Sequence, residues 1–259
     1  MTFERTFRFD QTVMIAFLLE GGVGETFSLG TKEKDSPAKT KQGDNMRTIE
    51  LQDMMRGSEF INVKSALESG GIVCIPCKTS YRIIADLTNP KAVNALLFSK
   101  HRTAKAPSLV FISNYSALKS VASNIPSKAK ILAQKLWPGE LTIRFDPNEE
   151  TIPAAILKPL TKAGGKLGVR VPSEPWLLRL LKELDRPLLV SSANREKKNG
   201  ASSPAMIQKN FMSHVSIFVN AGDIPQSTPS TVIDFVDGEP IIKREGAISQ
   251  NQIETALIV

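Results

Sequence analysis

From about residue 58 onward the chain alternates short apolar runs with stretches in which apolar residues recur every three or four positions. The runs at 71–76 (GIVCIP), 81–86 (YRIIAD), 108–113 (SLVFIS), 140–145 (ELTIRF), 166–172 (KLGVRVP), 187–192 (PLLVSS), 215–221 (VSIFVNA), 231–235 (TVIDF) and 240–245 (PIIKRE) predict strands. They are rich in β-branched residues and bounded by Gly, Pro, Ser or Asp. Between them, 90–100 (PKAVNALLFSK), 115–124 (YSALKSVASN), 127–137 (SKAKILAQKLW), 174–184 (EPWLLRLLKEL) and 204–212 (PAMIQKNFM) carry the helical spacing. A helix over about 60–68 is expected to close at Gly70 and Gly71, since glycine accepts the left-handed backbone that ends helices. So many strands interleaved with helices predict an α/β fold, an open twisted mixed sheet with flanking helices.

The first 45 residues break this pattern. A Phe/Arg segment and a GG-V-G turn precede 30–45 (GTKEKDSPAKTKQGDN), which is polar, charged and rich in turn formers. The chain therefore divides into an N-terminal extension, 1–45, expected to be partly disordered, and an α/β domain, 46–259. Met46 follows the extension directly and offers a second possible start. The run VMIAFLL (13–19) is far shorter than the ~20 apolar residues that span a membrane, and no small-residue cleavage site follows it. A cytoplasmic protein without membrane attachment is expected.

Net charge sharpens the picture. The chain carries +7, and because the extension contributes −1, the domain holds +8. A basic domain suits polyanionic partners such as nucleotides or RNA. Aromatic residues make up only 6% and do not interleave with the basic ones, so a base-stacking platform is not indicated. Neither G-x-G-x-x-G nor G-x-x-x-x-G-K-[ST] occurs, so no standard phosphate loop accounts for the charge.

Cys74 and Cys77 have the C-x-x-C spacing of metal and redox sites. With only two Cys and two distant His in the chain, a four-ligand zinc site lacks ligands. A redox pair needs a helix N-terminus to lower a thiol pKa, whereas GIVCIP reads as a buried strand. Cys74 is read as a small strand hydrophobe. Cys77, beyond Pro76, is left open between loop and site.

Several segments place polar or basic groups just beyond an apolar strand, where α/β sheets put ligands: 77–81 (CKTSY), 99–107 (SKHRTAKAP), 168–172 (GVRVP), 191–194 (SSAN) with 202–204 (SSP), and 229–234 (PSTVID) with 243–248 (KREGAI). They offer Lys100, Arg102, Arg170 and Arg244 as cations and Thr79, Ser192, Ser203, Ser230 and Thr231 as hydroxyls. Each alone is compatible with an ordinary solvated surface; together they form an inventory for binding anions.

In content and order these segments resemble the YrdC-like family of L-threonylcarbamoyl-AMP synthases over about residues 59–249. The family's P-T-[DE]-T-x-Y-G-L corresponds to Pro76-Cys77-Lys78-Thr79-Ser80-Tyr81-Arg82-Ile83, its K-x-R to Lys100-His101-Arg102, its WPGxLT to 137–142 and its VRxP to 169–172. Its S-x-N corresponds to 192–194, its STxxD to 230–234, and its R-x-G to 244–246. The resemblance implies a basic concave face on the sheet and a nucleotidyltransferase that makes threonylcarbamoyl-AMP from L-threonine, bicarbonate and ATP, releasing pyrophosphate, for tRNA modification. It implies Lys100 and Arg102 as catalytic residues, with Arg102, Ser192, Asn194, Ser203 and Arg244 on ATP. Thr79, Tyr81, Arg170 and Ser230 would take L-threonine, and Mg2+ would accompany ATP with no protein metal site. The implied partners are tRNA or double-stranded RNA and the tRNA-modification proteins that use the intermediate.

The sequence departs from that pattern mainly in the threonine loop. Lys78 replaces an acidic residue and Arg82 a glycine; Ala106, Phe111 and Lys166 also differ, and the segment 195–201 (REKKNGA) is longer and more basic. Two alternatives follow: a non-catalytic RNA- or nucleotide-binding member, and a relative that uses carbamoyl phosphate.

Overall fold

The computed structural model describes residues 5–9, 12–16, 46–99, 108–161, 165–193, 203–225 and 227–258. The expectation of partial disorder in 1–45 falls largely outside them. The chain divides into two compact units, Met1–Thr40 and Lys41–Val259. Within the first, β1 (Arg5–Phe9) and β2 (Thr12–Ala16) pair antiparallel.

The second unit runs β3 (Arg47–Glu50), α1 (Leu51–Arg56), α2 (Ser58–Glu68), β4 (Val73–Cys77), β5 (Ser80–Asp86), α3 (Pro90–Ser99), β6 (Ser108–Phe111), a 3-10 turn (Tyr115–Ser120), β7 (Ala122–Ser123), α4 (Ser127–Leu136), β8 (Leu141–Pro147) and α5 (Ala154–Leu160). It continues β9 (Leu167–Arg170), α6 (Pro175–Leu184), β10 (Leu188–Ser192), α7 (Pro204–Phe211), β11 (Ile217–Asn220), β12 (Thr231–Val236), β13 (Glu239–Arg244) and α8 (Gln250–Leu257). The strands form one open, twisted sheet in the order β13-β12-β8-β9-β6-β10-β5-β4-β11-β3, with β7 attached to β8. It is mixed: β12 with β8, β6 with β9, and β11 with both β4 and β3 are parallel, and the other pairs antiparallel. Among the described residues, no helix is long and apolar enough to cross a membrane.

Strand alternation assigns the two faces, because successive side chains point to opposite sides. On one face Cys74, Tyr81, Ile83, Leu141, Ile143, Val169, Leu189 and Ile233 pack in a single core with α3, α4, α5, α7 and α8. On the other, Val73, Ile75, Ile84, Leu188 and Val190 pack against α1, α2 and α6. Leu177, Leu180, Leu181 and Leu184 of α6 repeat at helical spacing and are buried there, each contributing about 1.5–3 kcal/mol of apolar burial.

These second-face helices reach only the β3 end of the sheet. Toward β13, the same face of β8, β9 and β12 presents Thr142, Arg144, Gly168, Arg170 and Asp234, polar or without a side chain. Val232 and Ile241 share this face, but the charged and polar groups between them leave no continuous apolar strip for a covering helix. Half of one face is left open by its own sequence, and the candidate site lies along that boundary.

Candidate functional site

The first part of the site is the β4–β5 hairpin. Its two-residue turn, Lys78 and Thr79, is held from both sides: Lys78 N–H donates to Glu174 Oε1 at 3.0 Å, and Ser227 Oγ donates to the Lys78 carbonyl at 3.0 Å. Thr79 Oγ1 accepts from Arg82 Nη2 at 3.1 Å. Tyr81, expected among the threonine contacts, is instead fully buried. Its hydroxyl donates to the Gly222 carbonyl at 2.7 Å and accepts from Ala221 N–H at 2.9 Å, and its ring stacks at a tilt on Phe218. Alternation turns it to the helix-covered face, so it anchors the hairpin to the 220–222 turn rather than meeting a ligand.

Cys74 and Cys77, three apart on one strand, emerge on opposite faces, and both are free thiols. Burial, reinforced by Glu174 and Glu140 against Arg82 and Arg170, pushes the Cys77 thiol up to about 12; burial raises Cys74 as well. A thiolate at this pKa is scarce by roughly 3.5 decades relative to free cysteine, and greater intrinsic nucleophilicity recovers about half of that. Alkylation of Cys77 at pH 8 is therefore expected to run roughly 50-fold slower than that of free cysteine, as read by mass spectrometry against time. A rate equal to free cysteine would contradict it.

The second part stands on β8 and β9. Arg170, at 7% exposure, donates from Nη2 to Glu140 Oε1 at 2.5 Å, and its guanidinium lies 5.8 Å from the Phe111 ring centre. Glu140 is equally buried. The pair leaves Arg170 Nε and Glu140 Oε2 without a hydrogen-bond partner among the described residues, and Glu174 Oε2 shares that state. Unmade bonds on buried polar groups cost about 1–3 kcal/mol each, more when charged. Such groups mark a place where something else supplies the partner.

The third part joins the start of β12 to the end of β13. Arg244 donates from Nε and Nη2 to the Ser230 carbonyl at 3.1 and 2.7 Å, and Ser230 Oγ lies 3.1 Å from Thr142 Oγ1. Thr231 Oγ1 accepts from Gly246 N–H and Ile248 N–H and donates to the Ile248 carbonyl. The 245–248 loop is thereby pressed onto Ser230. Gly246 is required there: a Cβ would stand 2.7 Å from the Ser230 carbonyl carbon and closer still to the Pro229 oxygen. Further out on the open face, Lys166 and Arg144 both bond Asp234, at 2.7 and 2.9 Å. Burial raises the Asp234 pKa, but Lys166, the Phe235 N–H and Arg144 outweigh it and hold the carboxyl below its ordinary value.

The structure thus gathers Thr79, Arg170, Ser230 and Arg244 on the open face, with Ser192 at the end of β10 opposite Arg82. Ser203 is the N-cap residue of α7 and makes no capping bond; none of the contacts above joins it to the cluster. Lys100, Arg102 and Asn194 lie outside the described residues. Sequence reading gave no role to Glu140, Glu174 or Thr142. The available signal was the WPGxLT match, which contains both Glu140 and Thr142 at the mouth of a strand. Among the described residues, no three Cys, His, Asp or Glu side chains are grouped to hold a metal ion.

Comparison with known proteins sets this arrangement in context. The threonylcarbamoyl-AMP synthase of Pyrococcus abyssi is 28% identical over 191 residues, covering 74% of this chain and 55% of that protein. Two structures of P. abyssi Sua5 share the fold. A variant superposes with TM-score 0.72 at 26% identity, covering 81% of this chain and 60% of that one. The complex with L-threonine gives 0.67 at 27%, covering 75% and 56%. The chain spans about half the length of the first curated relatives it matches. The model of the Sua5/YciO/YrdC family, described as telomere recombination, matches residues 65–246, a stretch that holds the hairpin, the Arg170–Glu140 pair and the Ser230–Arg244 junction, and this chain belongs to that family.

Proposed function

We propose that the protein is a nucleotidyltransferase that forms threonylcarbamoyl-AMP from L-threonine, bicarbonate and ATP, releasing pyrophosphate. The observation that carries this reading is the buried Arg170–Glu140 pair, whose Nε and Oε2 have no hydrogen-bond partner among the described residues. A guanidinium with donors to spare binds an amino-acid carboxylate through parallel hydrogen bonds, and a spare carboxylate oxygen suits an ammonium or hydroxyl group. Thr79 and Ser230 flank this pair as hydroxyl partners for the amino acid. The name and the bound ligand of the P. abyssi relatives point the same way.

ATP would lie across the β10 and β13 ends, with Ser192, Asn194 and Ser203 on one side and Arg244 on the other, and Lys100 and Arg102 on the phosphates. ATP enters as its magnesium complex, the ion held by phosphate oxygens and water, in keeping with a site whose acids are engaged by Arg170 and the hairpin. The reaction needs no protein nucleophile. What the residues contribute is alignment of the carbamate with the α-phosphate and cationic stabilisation of charge as pyrophosphate departs. The adenylate would then pass, in the cytoplasm, to proteins that modify tRNA.

The test is product identity. Incubated with ATP, L-threonine and 13C-bicarbonate, the full chain is expected to yield an adenylate that carries both the threonine mass and the label. An RNA complex formed without any such product would favour the non-catalytic reading.

A further inference from the structure

Arg82 stands where the family resemblance leads one to expect glycine, and register fixes where its charge goes. β5 lies between β4 and β10, so Arg82 faces Ile75 on one side and Ser192 on the other. Alternation with the core residues Tyr81 and Ile83 sends its side chain to the open face. There Nη2 reaches Thr79 Oγ1. Arg82 therefore bridges the two halves of the site: Thr79 belongs to the amino-acid side and Ser192 to the nucleotide side. It sits at the seam where a group made on the threonine amine must meet the α-phosphate.

Among the described residues, the Arg82 guanidinium has no anionic partner. Thr79 is its one hydrogen-bond partner among the described residues, although an arginine has five N–H donors. Among the described residues no carboxylate pairs with it: Glu140 turns Oε1 to Arg170 and Glu174 turns Oε1 to the Lys78 N–H. Desolvation lowers its pKa; the neighbouring guanidinium groups of Arg170 and Arg244 add to that, and the Glu140 carboxylate opposes it. A partly buried cation among cations, with donors to spare, is a site for an anion smaller than the nucleotide.

We infer that Arg82 binds the bicarbonate that supplies the carbamoyl carbon, and then the carbamate formed from it; this rests on the proposed activity. The threonine amine attacks the bicarbonate carbon: the nitrogen–carbon bond forms, the carbon–hydroxyl bond breaks, and the hydroxyl leaves as water with a proton from the amine, giving N-carboxythreonine. A carbamate oxygen then bonds to the α-phosphorus while the bond from that phosphorus to the bridging oxygen breaks, and pyrophosphate leaves with the electron pair. Arg82 holds the carbamate charge between Thr79 and Ser192 through both steps.

Initial rates of pyrophosphate release are measured in CO2-depleted buffer at varied bicarbonate, threonine and ATP for the full chain, Arg82→Gly and Arg82→Lys, with melting temperatures alongside. In Arg82→Gly the bicarbonate KM is expected to rise at least tenfold, while the threonine and ATP KM values stay within about twofold. Arg82→Lys should recover part of the loss. An unchanged bicarbonate KM, a rise confined to ATP or threonine, or an equal rise in all three would overturn the assignment. Should the unaltered protein release no pyrophosphate, the proposed activity itself fails, and binding decides the site. Broadening of the 13C-bicarbonate NMR line by the unaltered protein that is lost in folded Arg82→Gly, or weakened in folded Arg82→Lys where that is the variant that melts as the original does, supports an Arg82 bicarbonate site. Equal broadening by both, or by neither, overturns it.

Discussion

Arg170→Ala is expected to lower kcat/KM for L-threonine by about 100-fold and to destabilise the fold. The first effect follows from losing charge-assisted hydrogen bonds to the substrate carboxylate, at about 1.5–3 kcal/mol each, where about 1.4 kcal/mol is a factor of ten. The second follows from burial. Glu140 is 8% exposed, and without Arg170 its carboxylate would be left buried and uncompensated, which typically costs about 3–5 kcal/mol. Arg170→Lys separates the two. An ammonium still faces Glu140 and should retain most of the stability, but it cannot present the planar fork that matches a carboxylate. Thermal melting and steady-state kinetics on both variants check this. Arg170→Lys should melt near the original protein with a threonine KM raised at least tenfold; an original threonine KM would remove Arg170 from the substrate.

The second large effect is expected at Gly246, which touches no ligand in this account. An alanine Cβ there collides with the backbone of Pro229 and Ser230, and backbone cannot swing aside as a flexible side-chain tip can. The 245–248 loop must lift off the start of β12. That breaks the Gly246 N–H to Thr231 Oγ1 bond of 2.9 Å and displaces Ser230, which Arg244 and Thr142 hold in place. Overpacking of this kind costs about 1–3 kcal/mol, and pyrophosphate release should fall about 100-fold because small misplacements of positioning groups are amplified in rate. Thr231→Val reaches the same junction by another route, removing the hydroxyl that ties Gly246 and Ile248 to the strand. Both variants should lose activity well below the temperature at which they unfold. Original activity in Gly246→Ala would show that the junction does not position the site.

The runs that became β4, β5, β6 and β8 to β13 were legible because each is rich in apolar residues and bounded by turn residues. Where the reading missed, the local signal was missing. β3 buries only Ile49 and Met46 precedes it alone, so neither it nor α1 shows a period. α5 is bracketed and interrupted by Pro153 and Pro159, which argue against a helix from sequence. Residues 115–124 have helical spacing, yet only Tyr115–Ser120 coil, as a 3-10 turn, before Ala122 and Ser123 leave to pair with β8. The site divides in the same way. Arg170, Ser230 and Arg244 could be found because they sit at strand ends within short motifs. Glu140 could not, because its partnership with Arg170 depends on β8 and β9 lying side by side. Arg82 was visible only as an oddity; its position between Thr79 and Ser192 needed the β10 register. Tyr81 misled, since a motif residue beside a binding loop reads the same whether its hydroxyl meets a ligand or ties down backbone.

If the open half of the sheet joins threonine, bicarbonate and ATP, pyrophosphate release must depend on each reactant when they are omitted in turn. Release from the full chain is expected only when all three are present, with omission of threonine or bicarbonate reducing the rate to that of the protein-free control. Release from ATP alone, or release indifferent to bicarbonate, would contradict it.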